Sequence, residues 1–216
     1  MKFIPMTEPL YDYLVSHGHN GDPVLAELAR ETEALGPIAL MQIAPEQGTL
    51  MSILVRAIGA TSAIEVGTFT GYSALCVARA LGPNGRLLCC DVSEEWTAIA
   101  RRFWAKAGVA DRIDLRIAPA METLRALPAD QTFDFAFVDA DKVSYHDYYE
   151  ALLPHLRTNG LLVFDNVLWM GQVLDSQTPS KETKALQELN DHVAGDARVE
   201  AVMISVSDGL TIIRKK

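Results

Sequence analysis

"SAIEVGTFTGYSALCVARALGPNGRLLCCD", residues 62–91, is the stretch on which the fold turns. Its first five residues form an apolar run with strand character, 62–66. "GYSALCVARAL", 71–81, has the apolar spacing of a helix, and "GRLLCCD", 85–91, reads as a second strand. Between the first strand and the helix lie Gly67 and Gly71, which let a backbone turn tightly and come close to a ligand.

The alternation continues downstream. Helices are expected over 94–108, 120–127 and 144–156, the last with Pro154 near its end. Strands are expected over 112–118, 133–139 and 160–165. Strand and helix in regular succession make βαβ units. The prediction is therefore an α/β, Rossmann-like, doubly wound and mostly parallel sheet covered on both faces.

Both flanks differ from this middle. Residues 1–60 read as extra N-terminal helices. In "GDPVLAELARETEALG", Asp22 is a plausible N-cap, Pro23 fits the first turn and Gly36 the stop; "PEQGTLMSILVRAIGA" is amphipathic over 45–59. At the other end, "ETKALQELNDHVA" is a helix and "VEAVMISVSDGLTIIRK" an antiparallel hairpin around Ser207-Asp208-Gly209. The stretch 167–183 is the most polar and loop-like. With no repeat or linker in view, residues 1–216 are expected to form a single domain.

The 216 residues carry a net charge of −9, which argues against a nucleic-acid-binding surface and against an anionic membrane as partner. Three cysteines, Cys76, Cys89 and Cys90, sit in apolar runs without CxxC spacing and read as buried thiols. No signal-peptide h-region and no apolar run of membrane-spanning length is evident, so the expected localisation is cytoplasmic. The five histidines, 17, 19, 146, 155 and 192, are scattered and read as surface or packing residues.

In open α/β sheets, ligands bind beyond the carboxyl ends of the strands. Acids gather there: Glu65, Asp91, Asp139 and Asp141 beside Lys142, and Asp165 before Asn166. The glycine spacing is G-x-x-x-G, without the G-x-G-x-x-G of dinucleotide binders. Glu65 would be a poor neighbour for a pyrophosphate and suits a cationic or hydroxyl-bearing ligand. Asp91, at the end of the second strand, is placed to accept ribose hydroxyls, a feature that nicotinamide and S-adenosylmethionine binders share. From the residues alone, an ordinary βα turn at the glycines, a turn residue at Asp91, a solvated strand end at Asp139 and a loop start at Asp165 remain open.

Taken in order, "IEVGTFTGYSALCVARAL", "CCDVSEEW", "FVDADKVSYHDYY" and "LLVFDNVLWMG" resemble the cation-dependent class I O-methyltransferases of the caffeoyl-CoA and catechol type. "MQIAPEQGTLMSIL", 41–54, resembles that family's stretch before its first strand, and the likeness runs from about residue 38 to the C-terminus. The resemblance implies S-adenosylmethionine as cofactor. Glu65, Gly67 and Ser73 would lie along its methionine moiety, and Met41 and Ile43 would close over it, Ile43 through its backbone. Asp91 would take the ribose hydroxyls and Ala120 would meet the adenine through its backbone. Asp139, Asp165 and Asn166 match the metal ligands, for a divalent cation that is Mg²⁺ or, alternatively, Ca²⁺ or Mn²⁺. Asp139 with Asp141 and Tyr148 also falls near the cofactor. Lys142 corresponds to the general base, with a plain surface ion-pair residue as its alternative, and Trp169 could pack against an aryl ring or merely anchor a loop. The helices of 1–60 would cover the site.

The activity so implied is methyl transfer to one hydroxyl of a vicinal aromatic diol by a homodimer. A phenol of pKa ~10 is ionised to roughly one part in a thousand at pH 7, a deficit of about 4 kcal/mol that a cation can offset. Positioning contributes ~7–11 kcal/mol in favourable cases and outweighs it. A caffeoyl-CoA-like thioester is the rival acceptor, but only Lys181 and Lys184 could receive its phosphates in the 167–183 loop. A nicotinamide-dependent oxidoreductase and a non-catalytic scaffold are the alternatives from other classes.

Overall fold

Seven strands form one sheet: β1 (Ser62–Val66), β2 (Arg86–Asp91), β3 (Ile113–Ile117), β4 (Phe133–Val138), β5 (Leu156–Asp165), β6 (Val199–Ile204) and β7 (Leu210–Lys215). The computed structural model describes residues 4–18 and 21–216; His19 lies outside them. The strand order is β3-β2-β1-β4-β5-β7-β6. The first five strands run parallel, and β7 pairs antiparallel with both β5 and β6. The order reverses between β1 and β4, so their carboxyl ends flank the crevice where such sheets bind ligands.

Alternation along each strand loads both faces. Ala63, Leu87, Cys89, Phe135, Phe137 and Val163 point into one core, with α2 (Pro23–Glu33), α3 (Pro45–Ala57), α4 (Tyr72–Ala80) and α5 (Glu94–Lys106) packed over them. Their neighbours Ile64, Val66, Ala136, Val138, Leu162 and Phe164 point into a second core under α6 (Ala120–Arg125), α7 (Tyr145–Leu152) and α8 (Lys181–Gly195). This two-sided burial explains why the strands are apolar nearly throughout. All three cysteines are free and buried.

The N-terminal helices begin with α1 (Glu8–Gly18), which buries no residue. Asp22 caps α2 as expected, accepting from the backbone N–H groups of Val24 and Leu25 at 2.9 and 3.0 Å, with Pro23 in the first turn. Residues 36–57 are long and apolar enough to cross a membrane as one helix, contrary to the expectation that no run reaches that length. The run is divided, however. A 3₁₀ turn, Gly36–Met41, ends at extended Gln42 (ψ 133°), and extended Ala44 (ψ 151°) precedes α3.

One boundary departs from its expectation. α7 stops at Leu152 and β5 already begins at Leu156, where a helix to 156 and a strand from 160 were expected. Pro154 discourages continuation of the helix. The backbone carbonyl of His155 then accepts from Phe133 N–H at 2.7 Å, opening the β4–β5 ladder early. The register shifts between Phe133 and Phe135, with Asn159 left-handed at φ 63°.

Candidate active site

The turn after β1 is built by backbone contact. Gly67 has φ 88°, and a Cβ there would stand 1.8 Å from the carbonyl oxygen of Asp139. Only glycine lets the ends of β1 and β4 come this close. Gly71 has φ 85°, and a Cβ there would meet Ala100 at 2.6 Å and the Trp104 indole nitrogen at 2.8 Å. The Asp91 carboxylate holds the turn from the side: Oδ2 accepts from Thr68 and Phe69 N–H at 2.9 and 2.8 Å, and Oδ1 from Ser93 N–H at 2.8 Å. Asp91 is therefore a turn residue, and Oδ1, which accepts once, keeps a lone pair for a hydroxyl donor.

Beyond the strand ends lies a cavity of about 900 Å³. Met41, Ile43, Gly67, Ser73, Asp91 and Ala120 line it on the side of β1 to β3. Asp139, Asp141, Lys142, Tyr148, Asp165, Asn166 and Trp169 line it on the side of β4 and β5. Glu65 is the exception. Its side chain is wholly buried behind the wall, among Ser73, Thr68 and Cys89. Burial pushes its carboxyl up to about 8, against the lowering effect of the Ser73 and Thr68 hydroxyls. Among the described residues, Glu65 Oε2 and Thr68 Oγ1 are buried polar atoms without a hydrogen-bond partner. Buried polar atoms of this kind are met by an ordered water or a ligand group.

The acidic corner is tightly wired. Asp165 is 3% exposed. Its Oδ2 accepts from Gln47 Nε2 at 2.7 Å and its Oδ1 from Asn166 N–H at 2.6 Å. Burial, and next the charge of Asp139, push its carboxyl well above the ordinary range. Lys142 Nζ donates to Asp139 Oδ1 at 2.8 Å and to the Tyr145 hydroxyl at 2.7 Å. That hydroxyl donates to the Asp165 backbone carbonyl at 3.2 Å. At 8% exposure, Lys142 is no surface ion-pair residue. Asp141 accepts from the Tyr148 hydroxyl at 2.6 Å. The donor set of two carboxylates and the Asn166 amide is hard and oxygen-based, which fits a cation of the Mg²⁺ class. Two like charges face one cavity, one of them buried, with Lys142 as their positive neighbour; a bound cation would relieve the remaining repulsion.

A family model described as O-methyltransferase matches residues 15–216. The chain belongs to this O-methyltransferase family. It is 40% identical over 214 residues to catechol O-methyltransferase domain-containing protein 1 of Mus musculus, covering 98% of this chain and 81% of that one. It is 36% identical over 225 residues to caffeoyl-CoA O-methyltransferase 2 of Zea mays, covering 99% and 85%. Among solved structures, the O-methyltransferase TomG from Streptomyces achromogenes, in complex with SAM, superposes with a TM-score of 0.89 at 28% identity over 98% and 100% of the two chains. The O-methyltransferase from Bacillus cereus in complex with SAH gives 0.87 at 28% identity over 95% and 96%. The protein is thus an S-adenosylmethionine-dependent O-methyltransferase, and the oxidoreductase and scaffold readings fall away.

The methyltransferase positions Trp169 by an unusual backbone. Asn166, Trp169 and Met170 are left-handed at φ 56°, 49° and 51°, followed by Gly171 at 80°. Left-handed non-glycine residues cost about 1–3 kcal/mol each and persist where their surroundings impose them. Here Asp208 Oδ1 accepts from Met170 N–H at 2.6 Å, and the Asn166 carbonyl accepts from Trp169 N–H at 3.2 Å. The Trp169 ring centroid lies 5.9 Å from Lys142 Nζ.

Three residues of this site escaped the sequence reading: Gln47, Tyr145 and Asp208. Gln47 sits on the buried face of α3, where a fully buried amide amid apolar spacing was the available signal. Tyr145 follows Lys142 by three residues, the spacing that lets their side chains meet. Asp208 was read only as part of a turn.

Proposed function

We propose that this methyltransferase transfers a methyl group from S-adenosylmethionine to one hydroxyl of a vicinal aromatic diol, with a divalent cation, Mg²⁺, held by Asp139, Asp165 and Asn166. The carrying observation is that these three oxygen-bearing side chains, from two strand ends, line one cavity, with the carboxyl of Asp165 pushed upward by burial and by the charge of Asp139. Bound there, the cation supplies the Lewis acidity that makes a phenolic hydroxyl nucleophilic. The chain's residues do the rest. Met41, Ile43, Gly67, Ser73 and Ala120 hold the cofactor with the side chains of Asp141 and Tyr148, and Asp91 accepts from its ribose. The Glu65 oxygen that lacks a donor is the acceptor a cofactor ammonium would satisfy. Lys142, pinned between Asp139 and Tyr145, takes the hydroxyl proton once it has released one of its own to solvent. Trp169 packs on the aryl ring.

A small free catechol fits this cavity better than a coenzyme A thioester. Among the described lining residues Lys142 is the only lysine or arginine, and it is engaged by Asp139; Glu182 and Asp208 add acids, and Lys181 and Lys184 are absent from the lining. The thioester reading draws on a relative's name, caffeoyl-CoA O-methyltransferase. A cytoplasmic homodimer completes the proposal. The edge strand β6 exposes Val202 and Met203, an apolar edge of the kind that pairs with another chain, and light scattering checks the assembly.

Methyl transfer measured on a panel of free catechols and on caffeoyl-CoA, with and without EDTA, tests the reading. Turnover of free catechols that EDTA abolishes and Mg²⁺ restores is expected. Turnover untouched by EDTA removes the cation from the proposal, and turnover of the thioester alone removes the free catechol.

A further inference from the structure

α7 and α8 meet on the face of the sheet away from α2 to α5. His146 and Glu150 stand four residues apart on α7 and so share a face of the helix. His192 on α8 faces them. One donor atom from each of these three residues lies within 4.8 Å of the other two. His192 Nε2 is 2.9 Å from Glu150 Oε1 and 3.8 Å from Asp196 Oδ2. The two imidazole rings pack edge to face, with centroids 4.7 Å apart. Nothing in methyl transfer uses these groups.

We propose that His146, Glu150 and His192 form a separate metal site, for a borderline divalent cation such as Zn²⁺, with Asp196 in reach as a fourth donor. The site stands independently of the cation proposed in the cavity and differs from it chemically. Two imidazoles with a carboxylate select Zn²⁺-like ions, whereas the all-oxygen corner of the cavity suits Mg²⁺. Tetrahedral bonds of about 2.0–2.1 Å set donors roughly 3.3 Å apart. The closest pair is already near that spacing, and the widest closes by rotation of His146, whose side chain is exposed.

Arg198 is the competitor. Its Nη2 lies 2.6 Å from both Glu150 Oε1 and Asp196 Oδ2, and Asp196 also accepts from the Tyr149 hydroxyl at 2.8 Å. One guanidinium against two carboxylates leaves the cluster negative while the imidazoles are neutral. The Arg198 side chain is half-exposed and can withdraw into solvent as a cation takes Glu150. The ion would tie α7, which carries Tyr148 of the cavity wall, to α8, which carries Glu182 of that wall.

Calorimetric titration of Zn²⁺ into the full-length protein in saturating Mg²⁺ tests this. One bound equivalent is expected, weakened at least about 10-fold by His146→Ala and by His192→Ala, the scale on which even groups behind a ligand act. Arg198→Ala should tighten binding, because the rival for both carboxylates is gone. Co²⁺ added in place of Zn²⁺ should give visible bands that change in His146→Ala, and unchanged S-adenosylmethionine affinity in these variants would show that they fold. Zn²⁺ binding that survives both histidine substitutions, or that is lost only with Asp165→Ala, overturns the proposal.

Discussion

The two walls of the cavity are made by different means. On the side of β1 and β2 the wall is backbone: Gly67 against the Asp139 carbonyl, and amides of the turn gathered by Asp91. On the side of β4 and β5 it is side chain: Asp139, Asp165, Asn166 and Lys142, with Asp165 held by Gln47 of α3 and Asp139 by Lys142. A wall of backbone tolerates almost no added atom. A wall of side chains tolerates substitution structurally but loses its chemistry.

Gly67→Ala probes the first wall hardest. Its Cβ would lie 1.8 Å from a carbonyl oxygen in a left-handed conformation, so a loss of about 4 kcal/mol or more is expected, at the extreme for single substitutions. Thermal unfolding checks it, and a stable Gly67→Ala protein would erase the contrast between the walls. Asp165→Ala should leave a folded protein while lowering kcat/KM by about 10²–10³-fold, the size expected for removing one preorganised electrostatic group. Steady-state kinetics beside a melting curve separates the two effects.

Gln47→Leu sharpens the comparison further. It removes the amide that holds Asp165 Oδ2 while sparing every lining side chain, and Mg²⁺ affinity should weaken by about 10–100-fold with S-adenosylmethionine affinity unchanged. An unaltered metal isotherm would make the 2.7 Å contact incidental. The smallest effect concerns pH. The Glu65 carboxyl, ordinarily near 4.5, is raised to about 8 in the fold. Between those values the folded protein holds a proton that the unfolded chain has lost, so this group's contribution to stability falls as pH rises through that window. Ligand-free protein should melt lower at pH 8 than at pH 5 on this account, and Glu65→Gln should flatten the difference.

The same contrast explains what the sequence disclosed. Strand β1 lies where the pattern of "SAIEV" put it, and Gly67, Asp91, Asp139 and Asp165 stand at strand ends that periodicity alone locates. These are local signals. Gln47 reaches Asp165 across 118 residues, a pairing that no window of sequence contains. The burial of Lys142 was equally hidden, since lysines are seldom buried unless paired. Glu65 alternates to the inside of β1 and so misses the wall, although its neighbours Val66 and Gly67 reach it. The early start of β5 depended on a ladder bond between Phe133 and His155, again a tertiary fact.

The place of β7 between β5 and β6 has a consequence for biogenesis. Until β7 docks, β5 with Asp165 at its tip is a bare edge, open to pairing with other chains. Of the seven strands β7 is the last to leave the ribosome, and the turn before it brings Asp208 to Met170. A nascent chain can therefore shape its glycine turn early, but β5 stays an exposed edge, prone to aggregate, until residues 210–215 have left the ribosome and paired with it.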